Sequence, residues 1–224
     1  MNSVISNIKI QVNEKIFVKD PETSMLGKKI IQESILLIDE MGFENFTFKK
    51  LGERIGSNES SIYRYFESKH KLLVYLSSWY WGWIEYKLAF ATINIDNSIE
   101  RLKRGITVVT EKIEDDATTL HVNESILNKI IIQEFTKTLL TKEIDDENKE
   151  GFFLVYKRVI NMIIEMIHDV NPNYEFAKSL ASSIVEGALH QHFLKDHLKT
   201  ITNCNERISP TDFYLDLIST LLKK

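Results

Sequence analysis

The sequence predicts an all-α protein, and three observations carry that expectation. Apolar residues recur at helical spacing through most of the 224 residues, glycine and proline number only eight and three, and Gly56 separates two short helical segments. A hydrophobic fraction of 43% is enough to build a core, so disorder is not expected. Residues 8–18 depart from helical spacing. Ile8, Ile10 and Val12, then Ile16 and Val18, alternate with polar residues on either side of Asn13-Glu14. They predict a short extended arm, forming a small hairpin or lying on a helical surface. Pro21 to Ser24 breaks the arm from a helix over Met25–Glu40, whose stripe is Ile31, Ile35 and Ile38 and whose stop is Gly42.

The next segment, Thr47 to Leu73, is the most informative. Thr47 is a good N-cap, and Phe48, Leu51 and Ile55 fall on one helical face behind it. Gly56 ends that helix because glycine accepts the left-handed conformation a helix C-terminus needs. Ser57 or Asn58 caps the next helix, which buries Ile62 and Phe66, four residues apart. Two such helices joined by a tight turn make a helix-turn-helix, and its second helix enters the DNA major groove. A long helix then runs from about Ser68 to Ala91. Further helices are expected over 97–113, 125–142, 152–169, 174–199 and 211–222. The acidic patch Glu114-Asp115-Asp116 follows the first of these, and the polar run Glu143–Glu150 reads as a loop. The expected organisation is an N-terminal arm at 1–24, a three-helix reader at 25–72 and a helical body at 73–224.

The run Gly56, Asn58, Ile62, Tyr63, Tyr65, Phe66, Ser68, Lys69, Leu72 resembles the DNA-binding signature of TetR-type (tetracycline-repressor-like) transcriptional regulators. The resemblance covers Gly27 to Leu76. It implies an all-helical dimer whose body binds an effector and whose last two helices build a four-helix bundle with a second copy. It also implies phosphate contacts from Tyr63, Tyr65 and Lys69. Thr47 and Lys49 are further candidates at a helix N-terminus, where a hydroxyl and free backbone N–H groups meet phosphate. Base reading is expected from the start of the recognition helix, at Asn58, Glu59, Ser60, Ser61 and Arg64. Arginine pairs bidentately with guanine, and serine is permissive. Glu59 either accepts from a cytosine amine or complements the helix dipole.

The formal net charge is -4, yet residues 1–70 hold ten Lys+Arg against ten Asp+Glu, so the acidity lies elsewhere. Lys28, Lys29, Lys49, Lys50, Arg64, Lys69 and Lys71 are expected to gather on one surface, since phosphate contact depends on local charge. The single cysteine, Cys204, excludes an internal disulfide, and no signal-peptide pattern or membrane-length apolar run is evident. A cytoplasmic protein with no membrane partner is expected.

Residues 75–90 carry Trp79, Trp81, Trp83, Tyr75, Tyr80, Tyr86 and Phe90 on one helix. They read either as core or, with Phe152, Tyr156 and Met162, as the wall of an effector pocket: Trp83, Tyr86, Phe90, Phe152, Tyr156, Met162. Glu186, His190, His192 and His197 share one helix and Glu186 and His190 are four apart, but His192 points elsewhere and no cysteine joins them, so no metal or other cofactor is expected. No phosphate loop or nucleophile elbow points to an enzyme. Phe176, Leu180, Ile184 and Ala188, with Phe213, Leu217 and Leu221, give two stripes suited to a dimer interface. The expected function is a dimeric transcriptional repressor that binds a palindromic double-stranded DNA operator and is released by an unknown small apolar or amphipathic ligand. The alternative is a helix-turn-helix regulator without such a ligand, constitutive or partner-controlled. A helical enzyme or metal-binding protein is a remote third.

Overall fold

A computed structural model describes residues 10–113 and 121–222. Eleven α-helices follow one another among them: α1 (Met25–Asn45), α2 (Phe48–Ile55), α3 (Glu59–Tyr63), α4 (Lys69–Thr92), α5 (Ser98–Thr110), α6 (Glu124–Glu134), α7 (Thr136–Leu139), α8 (Ile144–Lys149), α9 (Leu154–Val170), α10 (Ala177–His197) and α11 (Pro210–Leu221). No strand occurs among the described residues. The chain divides into two compact units. One holds the residues through Gly82 together with Ile113–Leu154, and the other holds Trp83–Lys112 and Val155 onward.

In the first unit, Ser24 caps α1 by accepting from the Gly27 N–H at 3.0 Å. The α1 stripe of Ile30, Ile31, Ile35 and Ile38 is fully buried and packs on α2 and α6. Gly42 interrupts α1 at φ 76°, ψ 153°, a conformation that disfavours any side chain, so the expected stop falls where it was placed. The arm differs from expectation. Glu14–Ile16 and Pro21–Thr23 are single 3₁₀ turns, because the Asn13 and Asp20 side chains accept from Lys15 N–H and Glu22 N–H and bend the chain. Of the alternating set, Ile8 lies outside the described residues. Ile16 is fully buried, Phe17 sits edge-on to Tyr75 at 6.0 Å, and Val18 N–H donates to Tyr65 O at 2.8 Å. The described part of the arm, residues 10–24, therefore lies on a helical surface. Gly27 makes room for it: a Cβ there would stand 2.2 Å from Pro21 O.

The run Glu143–Glu150, expected as a loop, contains α8. Its Glu147 is buried against His70 and Lys71, a tertiary contact that composition alone does not reveal.

In the second unit, α5 packs on α10 and α11. Gly105 lets α5 approach closely, since a Cβ would meet Met166 Sδ at 2.7 Å. His192 Nε2 lies 2.9 Å from Thr110 O and donates to this carbonyl at the α5 C-terminus, while Thr110 Oγ1 donates to Thr211 Oγ1 at 3.0 Å. Ser209 and Asp212 cap α11 reciprocally.

Two predictions follow from this packing. Ile16→Ala removes the arm's buried anchor and lowers stability by about 2–5 kcal/mol in denaturant unfolding, without altering the bound DNA sequence. Burial pushes the His192 imidazole below its ordinary value, the Thr110 carbonyl only partly opposing this. The unfolded chain therefore takes up a proton that the folded protein refuses. This stabilising contribution is complete above the ordinary histidine range and falls away as pH drops through it. Melting temperatures measured between pH 7.5 and 5.5 should fall less steeply in His192→Gln than in the wild type.

Candidate nucleic-acid interface

The reader is assembled by caps and one close crossing. Thr47 Oγ1 accepts from Lys50 N–H at 3.3 Å and starts α2, whose Phe48, Leu51 and Ile55 are buried. Gly56 ends α2 in the left-handed region, φ 68° and ψ 36°. Gly52 lies beneath the turn. A Cβ there would stand 2.9 Å from Ser57 O and 3.2 Å from Glu59 N, so the start of α3 crosses directly over α2. Asn58, not Ser57, caps α3. Its Oδ1 accepts from Ser61 N–H at 2.9 Å, Ser60 Oγ at 2.8 Å and Ser61 Oγ at 2.7 Å. Both serine hydroxyls thus point their protons inward and offer lone pairs outward. Glu59, in the first turn of α3, is exposed and complements the helix dipole.

The structure separates the expected contact residues. Tyr63 is 49% exposed and rests its ring edge-on to Phe48 at 5.0 Å, which leaves it open to DNA. Thr47, Lys49, Asn58, Glu59, Ser60 and Arg64 are exposed on the same short segments. Tyr65 is the correction: it is 3% exposed, its hydroxyl shares a 2.8 Å hydrogen bond with Ser24 Oγ, and Lys19 covers its ring. Tyr65 thus turns inward under the arm.

The expected gathering of cations is also corrected. Lys69 Nζ donates to Phe43 O at 3.1 Å and Glu44 O at 3.2 Å over the Phe43 ring, which leaves one N–H for a phosphate. Lys50 Nζ donates to Asn45 O at 2.8 Å and Lys29 Nζ to Ile55 O at 3.0 Å. Lys71 pairs with Glu147 at 3.3 Å. Helix C-terminal carbonyls carry partial negative charge and draw in nearby ammonium groups. Arg54, which composition alone would have made a DNA candidate, forks onto Glu40 at 2.7 and 2.8 Å and reaches Glu33 at 3.0 Å. The guanidinium holds the Glu40 carboxyl below its usual range. Lys28, Lys49 and Arg64 make no ion pair among the described residues.

Of the six residues expected to wall an effector pocket, Phe152 lies in the first unit and the other five in the second. Phe152 is buried in the first unit, beneath Lys71 at 3.9 Å. Trp83 is buried in the second unit, with Lys87 at 4.7 Å over its ring. Tyr86 and Phe90 stack on each other at 6.4 Å at the surface, Phe90 69% exposed, rather than enclosing a cavity. Tyr156 and Met162 are half-buried on α9, and the Tyr156 hydroxyl donates to Glu186.

The dimer stripes divide likewise. Ile184 is 0% exposed, and Leu180 and Ala188 are buried with it in the protomer's own core. Phe176, Phe213 (45% exposed) and Leu221 remain open, and Leu217 is half-buried. The face of α10 left to solvent runs through Ser179, Ser183, Glu186 and His190 to His197, with half-buried Phe193 stacked on His190 at 6.4 Å and tilted against His197 at 4.6 Å.

The distribution of engaged and open cations makes a prediction. Lys49→Ala and Arg64→Ala each weaken duplex binding and lower the salt slope by about one unit. Arg54→Ala lowers the melting temperature with the slope unchanged.

Residues 30–76 match the model of bacterial regulatory proteins, tetR family. No curated protein matches the chain in sequence. Among solved structures, a Saccharomonospora viridis protein in complex with choline aligns at TM-score 0.62 and 18% identity, over 88% of this chain and 98% of that one. Superantigen PfiT aligns at TM-score 0.60 and 17% identity, over 92% and 100%. AibR in complex with isovaleryl coenzyme A and operator DNA aligns at TM-score 0.55 and 15% identity, over 85% and 97%. These likenesses establish a shared fold. The family is one of regulators, not of enzymes. Residues 30–76 are thus similar to the reader domain of the tetR family of bacterial regulatory proteins.

Proposed function

We propose that the protein is a cytoplasmic, dimeric repressor that holds a palindromic operator and leaves it when a small amphipathic ligand binds the body. The observation that carries this reading is the reader itself. Ile62 of α3 and Phe66 just after it are buried while Tyr63, Arg64 and Lys49 stay open. A single recognition helix of five residues, Glu59–Tyr63, contacts too few bases for useful selectivity, so two readers at fixed spacing are needed. Open Phe213 and Leu221 on α11, beside the solvent face of α10, supply an apolar surface for the second copy. AibR, solved with a coenzyme A thioester and operator DNA, and the choline-bound relative support ligand control on this fold. In this mechanism the ligand favours one of two body shapes and so shifts the spacing of the readers. The surface positions of Tyr86 and Phe90 favour the second reading, a regulator that answers to a partner or to nothing.

Among the described residues no helix is long and apolar enough to cross a membrane. The test is selection of duplexes from random sequence, repeated with small-molecule extract added. Recovery of a palindrome supports the dimeric reader, and its loss on adding extract supports ligand control. Unstructured, non-specific recovery refutes the reading. Light scattering checks the interface: Phe213→Asp gives a folded monomer, whereas Ile184→Asp places a charge in the protomer core and unfolds it.

A further inference from the structure

The first turn of α4 is held from behind by a buried acid. Glu147 of α8 is buried, and its Oε1 and Oε2 lie 3.0 and 3.2 Å from His70 Nε2, with Lys71 Nζ 3.3 Å from Oε1. Lys71 also lies 3.9 Å over the Phe152 ring. α8 is itself anchored. Phe152 N–H donates to Glu147 O at 3.1 Å, and Asn13 Nδ2 of the arm donates to Glu150 O at 2.9 Å. The arm continues to the reader, where Val18 N–H meets Tyr65 O. Only residues 64–68 separate α3 from α4, and Phe66 among them is fully buried. Lys69, beside His70, grips the end of α1. Every group named here belongs to one compact unit.

A carboxylate removed from water is stable only with donors in place, so this cluster has one preferred geometry. We propose that Glu147 is a positioning residue: through His70 and Lys71 it fixes the first turn of α4, and with it Lys69 and the recognition helix, in the arrangement that DNA binding requires. Glu147 touches no DNA in this scheme. α8 acts as a latch on the reader, and the arm closes it from the other side. The inference rests on the DNA-binding reading above, but adds a control point that lies outside the contact residues.

The test compares wild type, E147Q, E147D and R64A on a duplex selected by the wild-type protein, over a salt series. Hydrogen–deuterium exchange of the free proteins runs alongside. E147Q should bind about tenfold more weakly, the order of one charged hydrogen bond, with the wild-type salt slope. E147D, which keeps the charge, should recover part of the loss. R64A should lose slope as well as affinity. In E147Q, exchange should rise over residues 63–66 and 70–73 and stay at the wild-type level over Ala177–His197. Unchanged or tighter binding by E147Q would overturn the proposal, as would exchange raised evenly along the chain, which marks a general loss of stability. If E147Q does not fold, K71M removes one donor while His70 still partners the acid, and is read by the same criteria. A wild-type protein that selects no duplex would refute the DNA-binding reading, and the exchange pattern would still decide whether the latch exists.

Discussion

The reader rests on the close approach of α2 to the start of α3. Gly52 has the Ser57 carbonyl and the Glu59 amide directly above it, and even a methyl group would stand 2.9 Å from that carbonyl. Gly56 then reverses the chain in a conformation that disfavours a side chain. These two glycines allow Asn58 to cap α3 so soon after α2 ends. Once α3 starts there, Ile62 and Phe66 fall into the core and Tyr63 and Arg64 fall outside it. A larger residue at position 52 would separate the helices and rotate the outward set, so the same contact governs both stability and which side chains face outward.

Charge in this region is arranged for structure before function. Lys29 and Lys69 hold carbonyls at the ends of α2 and α1, and Lys50 holds Asn45 O where α1 closes. Arg54 bridges two acids of α1. Each of these cations meets a fixed oxygen at short range, whereas a phosphate must be brought from solvent. The reader is thereby pre-organised, with few mobile side chains to order when DNA arrives. The set of cations left open is small, consistent with an N-terminal region whose formal charges balance.

In α10 the most apolar stripe, through Leu180, Ile184 and Ala188, is claimed by the protomer itself. Burial follows the nearest available surface, and intramolecular partners are always at hand. What is left to solvent is a mixed face with aromatic residues, including Phe193 between two histidines. Interfaces between folded subunits commonly have this character, an aromatic core within polar surroundings.

The sequence by itself determined the helices, the glycine stop at Gly42, the caps at Thr47 and Asn58, and the signature around Gly56. These features depend on neighbours within one or two turns, where residue type fixes the conformation. Tertiary structure alone decided three other matters. Tyr65 is covered because the arm passes over it, and the arm comes from forty residues earlier in the chain, where Ser24 meets it. The acidic run 143–150 is helical because Glu147 finds His70 and Lys71, more than seventy residues away. Tyr86 and Phe90 stand at the surface although they are aromatic. In each case the outcome depended on what a residue met across space, and local pattern carries no record of that partner.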